Sequence, residues 1–259
     1  MQSSPERHTL STGHEVAVPL ETEAEAAALV LPADADRAAE WLPDGLAPVR
    51  IAPGRTTVTL LSVAYRRIGD DAMAPYREFG VLLAAIPVFQ GRVPELAALR
   101  RGLSGTDGGL GGYVAALPVT TEPARALGVE IWGYPKRVAE IAVTDRGDRR
   151  RTAVRDDRGH VVTFETPERP RFDATVETAS YTDGENGGRR LSRQPLTLSG
   201  RFGAHPFGGS YSLGTHPLAE RLRGLSPGRP LGTLAFDGRF VIGRDAVLAS
   251  DGALRVGGR

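Results

Sequence analysis

The chain has 259 residues, of which 41% are hydrophobic and 24% charged, proportions ordinary for a soluble globular protein and sufficient to bury a sizeable core. A net charge of +1, with both signs mixed along the chain, gives no electrostatic case for nucleic acid or an anionic membrane surface as partner. The absence of cysteine removes disulfides, thiolate metal sites and cysteine nucleophiles together.

Residues 1–20 are polar, carry Glu6 and Arg7 early and contain no apolar h-region, so no signal peptide is expected. They read as a flexible N-terminal tail ahead of a single domain over 21–259. The longest apolar run, Val81–Phe89, is far shorter than the roughly 18 residues that would span a bilayer, and a cytoplasmic protein is the expectation. Glu25–Leu31 reads as a strand closed by Pro32. Asp34 then supplies an N-cap for a short helix that Pro43 stops. Thr56–Tyr65, rich in β-branched residues, and Tyr76–Val88 read as strands. A helical pattern over Pro94–Leu103 leads to the glycine-rich tip Gly105–Gly112, which lacks the spacing and the lysine of a phosphate-binding loop and reads as a flexible connection.

Gly112–Val119 is strand-like, and Pro123–Gly128 predicts a helical turn. The segments Val138–Thr144, Thr152–Asp156, Val161–Glu165, Phe172–Tyr181 and Pro195–Phe202 follow at intervals of about ten residues, broken by Gly, Pro and Asp, as antiparallel hairpins do. The basic stretch Arg146–Arg158 is interleaved with Asp145, Asp148, Asp156 and Asp157 and reads as a solvated hairpin tip. Asp183–Gly188 is turn-rich, His216–Arg223 is a short amphipathic helix, and Leu231–Leu248 returns to strand around an Asp237-Gly238 turn. With no internal repeat and no linker, the pattern predicts an α+β chain dominated by antiparallel sheet with a few short helices. His205 and His216 read as structural histidines.

One residue departs from this ordinary background. Lys and Arg total 32, yet Lys136 is the only lysine. Arginine serves surfaces as well as lysine does, but it cannot release its proton and act as an amine nucleophile. A free lysine amine, with a pKa near 10.4, is almost wholly charged at neutral pH, so nucleophilic use requires desolvation or a nearby positive charge. In Glu130-Ile-Trp-Gly-Tyr-Pro-Lys-Arg-Val-Ala-Glu-Ile141, the neighbours Ile131, Trp132, Val138 and Ile141 supply an apolar setting and Arg137 a permanent charge. Gly133 and Pro135 fix the backbone from which Lys136 projects.

Gly-Tyr-Pro-Lys followed by a second cation, with Glu130 six residues before the lysine, resembles the signature of the acetoacetate decarboxylase family. That enzyme is itself the standing example of a lysine activated by desolvation or a cationic neighbour. Pro75-Tyr76-Arg77-Glu78, followed by an apolar strand ending Ile86-Pro87-Val88, is similar to the family segment that carries an active-site glutamate. Glu122-Pro123, Ala126-Leu127-Gly128, the Leu42-Pro43 turn and the His216-Pro217-Leu218 helix also fit, over residues 25 to 250. The resemblance implies a double-sheet, cone-shaped β-barrel, no cofactor, no metal, a small keto-acid substrate and a homo-oligomer. It implies that Lys136 forms a Schiff base with the substrate keto group and drives decarboxylation through an enamine. Glu78 would orient substrate or carry the proton, Arg137 would keep Lys136 weakly basic, and Tyr134 and Glu130 would brace the turn.

Two departures narrow the substrate. Pro32 stands where family decarboxylases have an arginine for the substrate carboxylate, and Thr56–Tyr65 lacks the second glutamate, which points away from acetoacetate itself. An aldolase/dehydratase using the same lysine on pyruvate-like keto acids in secondary metabolism, or a non-catalytic binding protein on the same scaffold, are the alternatives.

Overall fold

Alternation of apolar and polar residues, with β-branched and aromatic side chains enriched, sends successive side chains to opposite faces of a strand. The computed structural model, which describes residues 5–70, 72–88, 109–167, 172–183 and 191–248 and the backbone of 254–256, forms sixteen strands, and the longer barrel strands β3 and β5 follow that rule over much of their length. The first half comprises β1 (Glu6–Thr9), β2 (Glu15–Val18), β3 (Leu20–Asp34), β4 (Leu46–Pro48), β5 (Arg55–Ile68), β6 (Tyr76–Pro87), β7 (Gly111–Ala116) and β8 (Glu140–Arg146). The second comprises β9 (Arg149–Asp156), β10 (Gly159–Pro167), β11 (Phe172–Thr182), β12 (Ser192–Pro206), β13 (Ser210–Leu213), β14 (Gly232–Ile242), β15 (Ala246–Leu248) and β16 (Leu254–Val256). Short helices cover Ala35–Ala39, Glu122–Leu127 and Pro217–Gly224.

Seven strands run side by side in the order β11-β7-β6-β5-β3-β14-β12, and β12 pairs back onto β11, so the sheet closes into a barrel. Every step is antiparallel except β11–β7, which is parallel. A second, four-stranded sheet, β13-β10-β9-β8, lies against the outside. The two faces of each barrel strand therefore serve two cores. Leu60 of β5 and Phe79, Val81 and Leu83 of β6 pack outward with Phe164, Val154 and Leu222. Val63 and Tyr65 of β5 and Tyr76 of β6 pack inward with Leu117, Leu127, Trp132 and Tyr134. The expected architecture, mostly antiparallel sheet with few short helices, is the one observed.

Four details differ from the sequence reading. Residues expected as a tail form the β1–β2 hairpin, and Leu10, Val16 and Val18 are buried against the inward core, because their apolar side chains recur on one face. Strand β3 runs through Pro32 as far as Asp34, whose side chain accepts from the amides of Asp36 and Arg37 at 3.0 Å each and caps the next helix. The basic stretch is not a tip: β9 occupies the middle of the second sheet, and buried Arg150 pairs with Asp145 and Glu25 at 3.0 and 2.9 Å. The helical pattern over Pro94–Leu103 and most of the Gly105–Gly112 and Asp183–Gly188 loops lie outside the described residues.

Asp237-Gly238 makes no turn. It sits in the middle of β14, with Gly238 directly opposite Gly200 of β12. A Cβ on Gly238 would stand 2.4 Å from the Ser199 carbonyl oxygen and 2.8 Å from the Gly200 Cα. These facing glycines let two backbones approach more closely than side chains allow. Gly238→Ala is therefore expected to cost about 1–3 kcal/mol of unfolding free energy, read from the midpoint of chemical denaturation, as overpacking does. A midpoint unchanged from wild type would remove this role.

Candidate active site

Lys136 is placed by a chain of local devices. The helix Glu122–Leu127 begins with the Thr121 hydroxyl accepting from the Ala124 amide and passes into a wider π turn, Gly128–Trp132. That turn stops at Gly133, whose φ of +70° is a left-handed conformation open to glycine at little cost. The Tyr134 amide reaches back to the Gly128 carbonyl at 3.0 Å, the Trp132 indole donates to the Gly243 carbonyl at 3.0 Å, and the Thr182 hydroxyl donates to the Gly133 carbonyl at 3.0 Å. Beyond it the backbone is laced to residues 117–120: Leu117 donates to the Pro135 carbonyl, Val119 to that of Arg137, and Ala139 to that of Val119. The same 117–120 segment is stitched to β6 by Phe79 N–H to the Pro118 carbonyl and Thr120 N–H to that of Arg77. One connecting segment thus sets the lysine beside the strand that carries Glu78.

Inside the barrel, Lys136 Nζ lies 2.7 Å from Glu78 Oε2, and the two side chains are only 4% and 7% exposed. Glu78 Oε1 accepts from the Tyr65 hydroxyl at 3.2 Å. The ammonium also lies 5.5 Å from the centroid of the Tyr76 ring, within cation–π range. The chamber around them measures about 60 Å³ and is walled by apolar side chains, among them Leu61, Val63, Leu117 and Phe240. Among the described lining residues, Lys136 and Glu78 are the only charged ones. Burial of both charges together is tolerable because each is the other's counter-ion; either alone would be costly.

The lysine stem needs its own passage. A Cβ on Gly128 would stand 2.3 Å from Lys136 Cε, 2.4 Å from Cδ and 2.9 Å from Nζ. Glycine at 128 is thus the slot through which the side chain reaches the chamber. Three tyrosines complete the polar part of the wall. Burial, reinforced by the Glu78 charge, pushes the Tyr65 and Tyr76 hydroxyls well above their ordinary range, and burial also raises Tyr134. All three remain protonated donors at any working pH. Tyr134 Oη shares a 2.6 Å hydrogen bond with Ser180 Oγ, which donates onward to Gln194 Oε1 at 3.2 Å.

Of the residues singled out in the sequence, Lys136, Glu78 and Tyr134 meet at this chamber, although 58 positions separate Glu78 from Lys136 in numbering (136 minus 78). Arg137 does not join them. Its neighbour points inward, so in extended backbone Arg137 points outward; it is exposed and lines a separate cavity on the other side of the wall. The charge facing the amine is the Glu78 carboxylate, opposite in sign to the one expected from Arg137. Glu130 braces at a distance: its carboxylate accepts from the Ser11 amide at 3.0 Å and from the Ser11 hydroxyl, pinning the β1–β2 turn to the π turn. His216 caps the helix Pro217–Gly224 through Nδ1, which accepts from the Leu218 amide, while Nε2 meets Asp156 at 3.1 Å. Pro32 lies outside the lining of the chamber.

Sequence reasoning missed Tyr65, Tyr76, Ser180 and Gly128. Tyr65 had a legible signal, since Val63 and Tyr65 share the strand face that pairs with Glu78 and Tyr76. Gly128, a glycine inside a helical pattern, also called for a packing reason. Ser180 carried no local signal, because β11 meets the barrel only through long-range pairing.

Comparison with known proteins agrees with this architecture. No curated protein sequence matches the chain significantly. Among solved structures it is similar to an acetoacetate decarboxylase from Legionella pneumophila, with a TM-score of 0.65 and 17% identity over 96% of this chain and 92% of that one. It is also similar to the enduracididine biosynthesis enzyme MppR in complex with pyruvate, with a TM-score of 0.63 and 15% identity over 89% and 90% of the two chains. An acetoacetate decarboxylase-like enzyme from Sphingomonas wittichii superposes with a TM-score of 0.57 at 15% identity, covering 87% of this chain and 91% of that one. The family described as acetoacetate decarboxylase (ADC) matches residues 4–251, nearly the whole length, and the chain belongs to it.

Proposed function

We propose that this protein is a Schiff-base lyase in which Lys136 condenses with the keto group of a small keto acid and releases its carboxylate as carbon dioxide. The observation that carries the reading is the 2.7 Å pair of Lys136 with Glu78, sealed in an apolar chamber. Glu78 takes a proton from Lys136, and the freed amine adds to the carbonyl carbon; Glu78 returns the proton to the carbinolamine hydroxyl, which leaves as water, and an iminium remains. The iminium nitrogen accepts the electron pair of the breaking C–CO2 bond, giving an enamine. A proton from solvent, relayed by the Glu78 carboxylate, then goes to the enamine carbon, water hydrolyses the resulting imine, and the lysine is restored. Tyr65, hydrogen-bonded to Glu78, keeps that carboxyl in place through these transfers.

The chamber favours loss of the carboxylate over its retention. Its described lining offers a substrate carboxylate no cation apart from the iminium, and Glu78 stands nearby with like charge. Departure of carbon dioxide relieves both stresses. The runner-up reading, aldol condensation and dehydration on a pyruvate-like acid, draws on the likeness to the pyruvate-bound enduracididine enzyme. That chemistry keeps the carboxylate and calls for a second fixed cation to hold it. Either way the substrate is small. The reading also takes in a soluble enzyme with neither nucleic acid nor membrane as partner, assembled as a homo-oligomer in the cytoplasm.

Borohydride reduction in the presence of acetoacetate, pyruvate and longer keto acids is expected to trap one adduct per chain by intact mass, located on Lys136. Lys136→Arg is expected to abolish it with the fold retained by circular dichroism. Adduct formation with carbon dioxide release supports decarboxylation, whereas an adduct with pyruvate and no carbon dioxide supports the aldolase reading. Trapping that survives in Lys136→Arg refutes both.

Two further variants separate position from proton transfer. Gly128→Ala, which fills the slot occupied by the lysine stem, is expected to remove trapping altogether. Glu78→Gln is expected to keep slow trapping while lowering kcat by about 10²–10⁴-fold, the usual weight of a positioned acid–base group. Wild-type turnover in Glu78→Gln would exclude Glu78 from the chemistry.

A further inference from the structure

The wall that carries Lys136 has a second chamber on its far side. Val114, Leu117 and Lys136 face inward, while Ala115, Ala116, Pro118, Pro135, Arg137 and Ala139 of the same two segments face outward and floor a cavity of about 280 Å³. The opposite wall comes from β10 and the helix Pro217–Gly224. Three arginines, Arg137, Arg158 and Arg221, line it against one carboxylate, Asp156, a formal excess of +2 (3 minus 1). Asp156 is already committed: Arg158 holds it through its backbone amide and its guanidinium at 2.8 and 3.1 Å, and His216 Nε2 lies 3.1 Å from it. Arg137 and Arg221 have no carboxylate partner among the described residues, and Arg221 is held in place by stacking over the Trp41 ring at 4.3 Å.

We infer that this outer chamber is a binding site for an organic monocarboxylate with an apolar tail. The carboxylate lies on the Arg137 and Arg221 guanidiniums, whose planar donors suit it. The tail lies on the alanine, proline and leucine floor. A simple inorganic anion would leave that floor unused, and a neutral lipid would leave two arginines without a counter-charge. The inner chamber is the smaller of the two, and its one cation is already paired with Glu78, so a carboxylate with a longer apolar tail fits the outer one better. This site stands apart from the imine chemistry and does not depend on it.

Isothermal titration of the intact protein with octanoate, octanol, acetate and inorganic phosphate tests the assignment. Octanoate is expected to bind with a stoichiometry of one per chain and more tightly than the other three. Arg137→Gln and Arg221→Gln, both at exposed positions and checked by thermal melting, are each expected to weaken octanoate by about two- to fivefold, as loss of one partly solvated ion pair does. Absence of octanoate binding, equal binding of octanol or phosphate, or an affinity unchanged in both arginine variants would overturn the inference.

Discussion

A buried ion pair constrains everything else in this fold. Removing an ammonium and a carboxylate from water costs several kcal/mol per ion even after relaxation, and mutual attraction repays it only with good geometry. An apolar pair in the same place would serve stability as well or better. The 2.7 Å contact between Lys136 and Glu78 is therefore an arrangement that stability alone does not favour, and one that the proposed imine chemistry would need. Its maintenance demands a closed barrel to exclude water, a glycine at 128 to admit the lysine stem, and a left-handed glycine at 133 to aim the following strand. The Tyr65 hydroxyl, fixed as a donor by its burial beside Glu78, occupies the second carboxylate oxygen and leaves the first for the amine.

The strand period of two turns this single demand into two chambers. Lys136 faces inward between outward-facing Pro135 and Arg137, while a bulge in β7, where the register with β6 shifts, puts both Ala115 and Ala116 outward between inward-facing Val114 and Leu117. The inner space is small, and its described lining carries one carboxylate and one amine. The outer space is larger, basic and floored by small apolar side chains. Arg137, adjacent in sequence to Lys136, thereby lines the other compartment.

Much of this was legible from the residues. The β-branched run Thr56–Tyr65 and the apolar run after Tyr76 became β5 and β6, and Asp34 capped its helix as its chemistry suggests. Lys136 stood out because every other cation in the chain is arginine. What failed did so for physical reasons. The β1–β2 hairpin hid in a polar stretch because four-residue strands give too short an alternation to read. Asp237-Gly238 looked like a turn because the need for close backbone approach, opposite Gly200, is set by a strand nearly forty positions away (238 minus 200). That Arg137 lines the outer cavity was not legible, because adjacency in sequence does not say to which side of the wall a side chain points.

A chain with one lysine permits an unusually direct test of the central claim. Protein produced with lysine labelled at Nζ with nitrogen-15 carries a single labelled side-chain amine, and a keto acid labelled with carbon-13 at its carbonyl can be added to it. Nitrogen-detected NMR is predicted to show that lone resonance leave the amine region and acquire a one-bond coupling to the substrate carbon. An uncoupled amine signal that persists while the keto acid is consumed would contradict the account.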